Sequence, residues 1–183
     1  VVSSSGSDTY SAVASAICSL KGPKHGGANR QVLAQFSLIK QTVRDWKDDD
    51  AVADCVGRIL RRELGDGSGL IYGMGHAVYT LSDPRTVILR QSARTLAAQR
   101  GMLDELELME AVERVTPRMF AEITGHEKVI CAHVDMYPGL IYPMLALPPD
   151  LFTPLFSVAP TPALVTHRLG PGPTGSPPAR PPL

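Results

Sequence analysis

Three short stretches of the sequence each present one ionisable side chain that can move a proton: His25, His76 and Asp135. A carboxylate removes a proton from the carbon next to a carbonyl only if the enolate oxygen is stabilised as it forms, and a neutral histidine can donate that hydrogen bond. A second histidine can polarise the carbonyl of an acceptor molecule. The stretches are Lys21–Asn29, Gly73–Tyr79 and His133–Tyr137. Together these groups predict proton abstraction beside a carbonyl.

Arg85 adds a group that can recognise a carboxylate on the acceptor, because its planar guanidinium forms two parallel hydrogen bonds. Glycines near the histidines would let a bulky thioester approach the backbone. Each residue also has a simpler interpretation. Either histidine can be hydrogen-bonded to its own loop, Asp135 can cap a helix, and Arg85 can be a solvated side chain. The residues alone leave these alternatives open.

Other uses of the same residue types have weaker support. The sequence contains no H-x-x-x-H, no H-x-x-E-H and no acid-rich calcium loop, so no metal site is predicted. Gly73-Met74-Gly75 lacks the third glycine and the preceding strand of a dinucleotide-binding fingerprint. The 3 cysteines are widely spaced without a C-x-x-C, which argues against a disulfide framework and favours a reducing compartment.

Apolar side chains recur at three- and four-residue spacing along most of the chain, which predicts amphipathic helices. Helices are therefore the elements that position these residues. The predicted helices begin near Asp8, Ala28, Asp48, Pro84, Leu103 and Thr116, and end near Gly22, Trp46, Gly65, Gly101, Val115 and Ile123, in that order. The glycine-rich segment 65–76 is too apolar for an exposed loop and predicts a buried, tightly turned one. The sequence therefore predicts an all-α array with the candidate residues on its loops.

The last third of the chain is rich in proline. Only residues 128–134 are predicted as a possible strand. A proline beyond the first turn of a helix costs about 3 kcal/mol, so a helix from Met136 to Leu147 is expected to kink or break at Pro143. Residues 170–183 are mostly proline and glycine and predict a disordered tail.

Charge and hydropathy exclude several classes of partner. Lysine plus arginine total 18 and aspartate plus glutamate total 18, so no net positive field attracts nucleic acid or anionic lipid. The apolar runs are short and broken by proline, far below the roughly 20 residues of a membrane span. The sequence does not begin with methionine, and its first residues do not have the pattern of a secretory signal, so we expect it to start inside a longer polypeptide. We expect a cytoplasmic protein without nucleic-acid or membrane partners.

The stretches that carry the candidate residues resemble the citrate synthase family. Gly22–Asn29 is similar to the family's G-P-L-H-G-G-A-N, Gly73–Arg85 to its G-x-G-H-x-V-Y-x-x-x-D-P-R, and Val134–Tyr137 to its N-V-D-F-Y. Thr153–Ala159 resembles the family's T-P-L-F-x-x-A, so the likeness covers about residues 1–159. Three motifs in the family's order make the resemblance specific.

The resemblance implies an all-α, homodimeric acyltransferase that condenses acetyl-CoA with oxaloacetate and hydrolyses citryl-CoA to citrate and CoA. By the motif match, Asp135 would deprotonate the acetyl methyl, His25 would donate to the enol oxygen, and His76 would polarise the oxaloacetate carbonyl. Arg85 would bind a carboxylate of oxaloacetate, and Arg180 would match an arginine contributed across the dimer. CoA would enter as a substrate, with no permanently bound cofactor.

The resemblance also implies a CoA pocket and a domain arrangement. The residues assigned to CoA are Leu70, Ile71, Gly73, Met74, Gly75 and His133, of which those in the loop 70–75 would line the adenine pocket. A small domain would span residues 29–145, between large-domain pieces at 1–28 and 146–169 and the tail at 170–183. Closure of the domains around oxaloacetate would create the acetyl-CoA site.

The sequence departs from the family pattern at several positions. His133 stands where the family usually has asparagine, Pro160 where it has a substrate-binding arginine, and Pro138 and Pro143 fall in a segment that the family keeps helical. Family members are more than twice as long, so the chain is expected to be a C-terminal part. Two alternatives stay open: condensation of propionyl-CoA to 2-methylcitrate, since acyl selectivity depends on pocket shape, and a non-catalytic fragment or decayed paralogue.

Overall fold

A computed structural model describes residues 2–22, 27–75, 83–126 and 130–169 of the chain. These residues form α-helices and no strand, which confirms the all-α prediction. Residues Ser3–Ser5 and Pro149–Leu151 form short 3-10 helices. The α-helices are α1 (Thr9–Leu20), α2 (Ala28–Thr42), α3 (Asp49–Leu60), α4 (Pro84–Arg100), α5 (Leu103–Thr124), α6 (Pro138–Met144), α7 (Phe152–Val158) and α8 (Thr161–Leu169).

The contacts of the chain divide it into two compact units. One unit, Ala28–Pro149, contains α2 to α6. The other unit consists of Val1–Gly27 and Asp150–Leu183, and in it α1 packs against α7 and α8. The assignment of these units to the small and large domains of a two-domain enzyme stays a prediction.

The core of the unit Ala28–Pro149 lies between α3 and α5, which pack along each other. Val52, Val56 and Ile59 follow the i, i+4, i+7 spacing of one helix face and are completely buried on α3. Each buried aliphatic side chain contributes about 1.5–3 kcal/mol through the hydrophobic effect. At the surface, Arg114 of α5 binds Asp49 of α3 through two hydrogen bonds of 2.6 and 2.8 Å. The sequence spacing thus correctly identifies the buried face of α3.

Aspartate caps begin three of the helices where the sequence predicts them. Asp8, Asp48 and Asp83 accept hydrogen bonds of 2.9–3.0 Å from backbone amides in the first turns of α1, α3 and α4. Such a cap satisfies an amide that has no partner within the helix and contributes about 1 kcal/mol. Asp83 precedes a proline at the first helical position, which has no amide to satisfy. The start of α4 is therefore specified locally.

Pro117 lies inside α5, so the two helices predicted on either side of Val115 are one. The proline removes the amide that would bind the carbonyl of Glu113, at a cost of about 3 kcal/mol. Tertiary packing offsets this cost: Val115 and Thr116 are buried, and Met119 packs against the core. The prediction was wrong because local signals carry no information about the burial on both sides of the proline.

The ends of α2 and α6 also differ from the predictions. α2 ends at Thr42, and Trp46 lies beyond it, where its indole Nε1–H donates to the carbonyl of Val43 at 3.0 Å. α6 starts at Pro138, two residues after the predicted Met136, and ends at Met144, just after the proline at which a break was predicted.

The possible strand at 128–134 is not formed by its described residues, which contain one isolated antiparallel bridge between Ala132 and Met74. The predicted tail at 170–183 lies outside the described residues. No helix in the described ranges is long and apolar enough to cross a membrane.

Candidate functional site

Backbone hydrogen bonds hold the loop 70–75 against the segment that contains Asp135. The amide of Gly75 donates to the carbonyl of Cys131, and the amide of His133 donates to the carbonyl of Gly73, both at 2.8 Å. The antiparallel bridge between residues 74 and 132 lies between these two bonds. We call residues 73–75 and 131–133 the paired segments. They bring Asp135 beside the loop that leads directly into the sequence position of His76.

Gly73 is required at its position by both conformation and space. Its φ of +85° lies in the left-handed region, where a side chain is strained. A Cβ there would lie 2.9 Å from Cα of Met136, a backbone atom that cannot yield without moving the segment next to Asp135. Glycine thus permits the close approach of the paired segments.

The loop 70–75 is also attached to α2 through Gln35. The side-chain amide of Gln35 donates to the carbonyl of Leu70 and accepts from the amide of Tyr72, each at 2.8 Å. Ile71 is buried, whereas Leu70 is 56% exposed. The loop is tightly turned as predicted, but its burial is restricted to part of its residues.

The carboxylate of Asp135 is almost fully buried and binds the ring of His133. The distance from Nδ1 of His133 to Oδ2 of Asp135 is 2.7 Å, and the amide of Asp135 lies 3.2 Å from the same nitrogen. One nitrogen cannot accept from the amide and also donate to the carboxylate. Because the contact with the carboxylate is shorter and requires a donor, we assign the proton to Nδ1.

The other oxygen of Asp135, Oδ1, is buried and has no hydrogen-bond partner among the described residues. A buried polar atom without a partner costs free energy, and a catalytic role is one of the reasons for which proteins retain such an atom. The second buried side-chain oxygen of this kind in the described part is Oδ1 of Asn29, in the first turn of α2. Both atoms fall in stretches that the sequence singles out. The interpretation of Asp135 as a helix cap is wrong, because the N-cap of α6 is Tyr137.

Tyr142 interacts electrostatically with this carboxylate. Burial raises the pKa of the Tyr142 phenol, and the negative charge of Asp135 raises it further. The phenol is therefore neutral at physiological pH and adds no second negative charge near Asp135.

Tyr137 anchors the segment that carries Asp135 to two helices. Its completely buried hydroxyl donates to Oε2 of Glu113 at 2.6 Å and accepts from Nε of Arg90 at 2.8 Å. Arg90 also forms an ion pair with Glu113. Burial, followed by the hydrogen bond to Glu113, raises the pKa of Tyr137 far above its usual value. Sequence reasoning missed this network; only the position of Tyr137 in Val134–Tyr137 pointed to it.

Arg85 binds Asp83, its own helix cap. Nε donates to Oδ1 at 3.0 Å and Nη2 donates to Oδ2 at 2.7 Å, and the cap residue is completely buried. The Arg85 side chain itself is 56% exposed. The side edge of the guanidinium is thus occupied by Asp83, so a substrate carboxylate would have to use the edge formed by Nη1 and Nη2.

Of the other predicted site residues, Gly73, Met74 and Gly75 pair with the segment that contains His133, and Leu70 and Ile71 precede them in the same loop. The predictions for His25, His76 and Arg180 lie outside the described residues. Pro160 lies in the turn between α7 and α8. No group of three or more metal-binding side chains occurs in the described ranges.

A cleft of about 720 Å³ is lined by residues of α4 and α5 and by residues 130–132, and Asp135 is not among its lining residues. Arginines line it, but each binds an acid: Arg90 binds Glu113, Arg94 binds Glu110, and Arg114 binds Asp49. Because these charges are compensated, the cleft does not offer a strong anion site.

Comparisons with known proteins agree on one family. The family model described as "Citrate synthase, C-terminal domain" matches residues 1–175. Citrate synthase from Synechocystis is 37% identical over 91% of this chain and 38% of its own length. 2-Methylcitrate synthase 1 from Corynebacterium glutamicum is also 37% identical, over 87% of this chain and 36% of its own length.

Solved structures support the same relationship. A ternary complex of carboxymethyl coenzyme A and oxaloacetate with citrate synthase from Thermoplasma acidophilum matches with a TM-score of 0.72 and 26% identity, over 100% of this chain and 44% of that one. Citryl-CoA lyase from Hydrogenobacter thermophilus, with a TM-score of 0.60 and 24% identity, covers 99% of this chain and 69% of that one and shows a likeness of fold alone. The chain spans less than half the length of the curated relatives named above. On the match over residues 1–175 and the shared helical fold, the chain belongs to the citrate synthase family and corresponds to its C-terminal domain.

Proposed function

We propose that this chain is the C-terminal part of a citrate synthase-type acyltransferase, which condenses acetyl-CoA with oxaloacetate to give citrate and CoA. The observation that carries the proposal is a buried carboxylate, one oxygen of which has no hydrogen-bond partner among the described residues, beside the loop 70–75. The relatives' names and the ligands of the Thermoplasma complex support the choice of substrates.

In this reaction Asp135 removes a proton from the acetyl methyl. His25 donates a hydrogen bond to the thioester oxygen, which carries the developing enolate charge. The enol carbon then forms a bond to the carbonyl carbon of oxaloacetate as the C=O π bond breaks, and the carbonyl oxygen, polarised by His76, takes up a proton to become a hydroxyl. Water cleaves the resulting citryl thioester, releasing CoA and citrate. The buried position of Asp135 strengthens these interactions, because charges interact more strongly where water is excluded.

Arg85 and Arg180 bind the carboxylates of oxaloacetate, the first through its Nη1–Nη2 edge and the second across a homodimer. The loop 70–75 contacts the adenine of CoA, and its attachment to Gln35 fixes the loop backbone. The whole protein acts on small molecules in the cytoplasm, with CoA as substrate and product and no resident cofactor.

The role of Asp135 is tested by Asp135→Asn in the full polypeptide that contains these residues. We expect the rate of CoA release from acetyl-CoA and oxaloacetate to fall about 10²- to 10⁴-fold, since general base catalysis contributes about that factor. The matched control is Asp54→Asn, the same change at an exposed position of α3. An unchanged rate in Asp135→Asn would reject the assignment, and no CoA release from the unmodified protein would reject the function.

Condensation of propionyl-CoA to 2-methylcitrate is the second candidate, favoured by a 2-methylcitrate synthase relative with the same 37% identity. One methylene changes acyl selectivity by only about 1–3 kcal/mol. Side-by-side kcat/KM values with the two thioesters decide between the candidates. A non-catalytic protein would show neither activity nor heat of oxaloacetate binding in calorimetry.

A further inference from the structure

We propose that His133 is a positioning residue for the catalytic base. Its Nδ1–H donates to Oδ2 of Asp135 and holds the carboxylate in one orientation, so that Oδ1 is the oxygen that removes the proton. The inference rests on the proposed function, because only a base that removes a proton needs one defined oxygen. Position 133, which is histidine in this chain, is usually asparagine in the citrate synthase family.

The contact itself fixes the carboxylate. The χ2 torsion of an aspartate is broad and roughly two-fold, so a free carboxylate samples many orientations. A 2.7 Å hydrogen bond to Oδ2 removes most of this freedom, since the second oxygen then has a single position. The Asp135 side chain is 9% exposed, and water therefore does not replace this bond easily.

The donor is itself held on both sides of its Cα. The amide of His133 donates to the carbonyl of Gly73 at 2.8 Å, and its own carbonyl accepts from the amide of Met136 at 3.0 Å. The imidazole thus extends from a backbone that is tied both to the loop 70–75 and to the turn after Asp135. A group held in this way positions its partner more precisely than a mobile surface side chain does.

This role differs from the CoA contact that the resemblance implies for His133, and kinetics separates the two. A side chain that contacts CoA changes the KM for acetyl-CoA, whereas a side chain that orients the base changes kcat. If His133 positions the base, its replacement also increases the primary isotope effect measured with deuterated acetyl-CoA, because a misaligned base makes proton removal slower relative to the later steps.

Three variants test the donor atom in the full polypeptide. Nδ2 of asparagine and Nδ1 of histidine are both one bond beyond Cγ, whereas the amide nitrogen of glutamine is one bond further out. We expect His133→Ala and His133→Gln to lower kcat about 10- to 100-fold, with a larger isotope effect and an unchanged KM for acetyl-CoA. His133→Asn should restore kcat to within about threefold of the unmodified protein.

The proposal is overturned if the asparagine and glutamine variants are equally impaired, or if all three variants change only KM. The fluorescence of Trp46, the only tryptophan in the chain, verifies that each variant is folded in the unit Ala28–Pro149.

A second measurement does not depend on activity. Nitrogen-15 NMR of the imidazole in the full chain, at a pH where the ring is neutral, reports which nitrogen carries the proton. We expect the proton on Nδ1, and its loss from that nitrogen in Asp135→Leu. A proton on Nε2 in the unmodified chain would overturn the inference. If the proton is on Nδ1 but no CoA is released, the proposed function fails while the hydrogen bond stands. If CoA is released but Nδ1 carries no proton, the positioning role of His133 fails while the proposed function stands.

Discussion

Replacing Tyr137 with phenylalanine should destabilise the unit Ala28–Pro149 by about 2 kcal/mol. The change removes only the hydroxyl, which makes two hydrogen bonds, one to the carboxylate of Glu113 and one from the guanidinium of Arg90. The ring stays, and with it the contact of the guanidinium over the aromatic face at 5.6 Å. The variant therefore isolates the contribution of the buried hydroxyl.

The magnitude follows from the burial of each partner. A hydrogen bond to a charged group contributes about 1.5–3 kcal/mol, so two bonds set an upper limit of about 3–6 kcal/mol. Arg90 and Glu113 remain paired with each other, and their side chains are 43% and 20% exposed, so water can partly replace the lost hydroxyl. The expected net effect is thus close to that of one bond, about 2 kcal/mol.

Urea unfolding followed by Trp46 fluorescence measures this effect, because the tryptophan lies in the same unit as Tyr137. A loss of about 2 kcal/mol corresponds to a midpoint about 1 M lower in urea. Tyr72→Phe is the matched control, since it removes a hydroxyl that binds the carboxylate of Asp66 at 2.6 Å at an exposed site. That variant should change stability by less than about 0.5 kcal/mol. Equal midpoints for the two variants would refute the reasoning that burial makes the Tyr137 network strong.

Two further predictions concern Gly73 and the ionisation of Tyr137. Gly73→Ala should destabilise the same unit by more than Gly101→Ala, because both glycines have positive φ but only at position 73 would a Cβ meet the backbone of another segment. The difference should be at least about 1 kcal/mol in urea unfolding, and equal losses would show that the paired segments can move apart without cost. For the ionisation, the folded pKa of Tyr137 is raised above the ordinary value of 10.0, so the unfolded chain loses its proton first. Stability should therefore fall as the pH rises above about 10, more steeply in the unmodified protein than in Tyr137→Phe, and parallel curves would contradict the assigned direction.

Local signals in the sequence predicted the elements whose boundaries are set by their own residues. Asp83-Pro84 is an example, because the carboxylate cap and the missing amide of the proline specify a helix start without help from the rest of the chain. Pro117 is the opposite case. Its local preference is against a helix interior, and α5 continues through it because the residues around it are buried against α3 and the rest of the core. Sequence patterns do not measure that packing.

The candidate site divides in the same way. The residue types and the resemblance predicted Asp135 and the loop 70–75 as site residues, because their glycines and ionisable groups are visible in the sequence. The network of Arg90 and Glu113 with Tyr137 was not predicted, since it joins residues of two helices and a turn that are distant in sequence. The hydrogen bond from His133 to Asp135 depends on side-chain orientation, which residue types alone do not determine.

The paired segments 73–75 and 131–133 are joined through main-chain atoms, and this has an evolutionary consequence. Side chains at Met74 and Ala132 can be exchanged as long as they fit, because the bonds between the segments do not depend on them. Insertion or deletion of a single residue in either segment is different, since it would shift the alignment and turn neighbouring side chains to the opposite side. Homologous chains that keep this pairing should therefore vary in side-chain type at positions 74 and 132 while preserving the lengths of both segments.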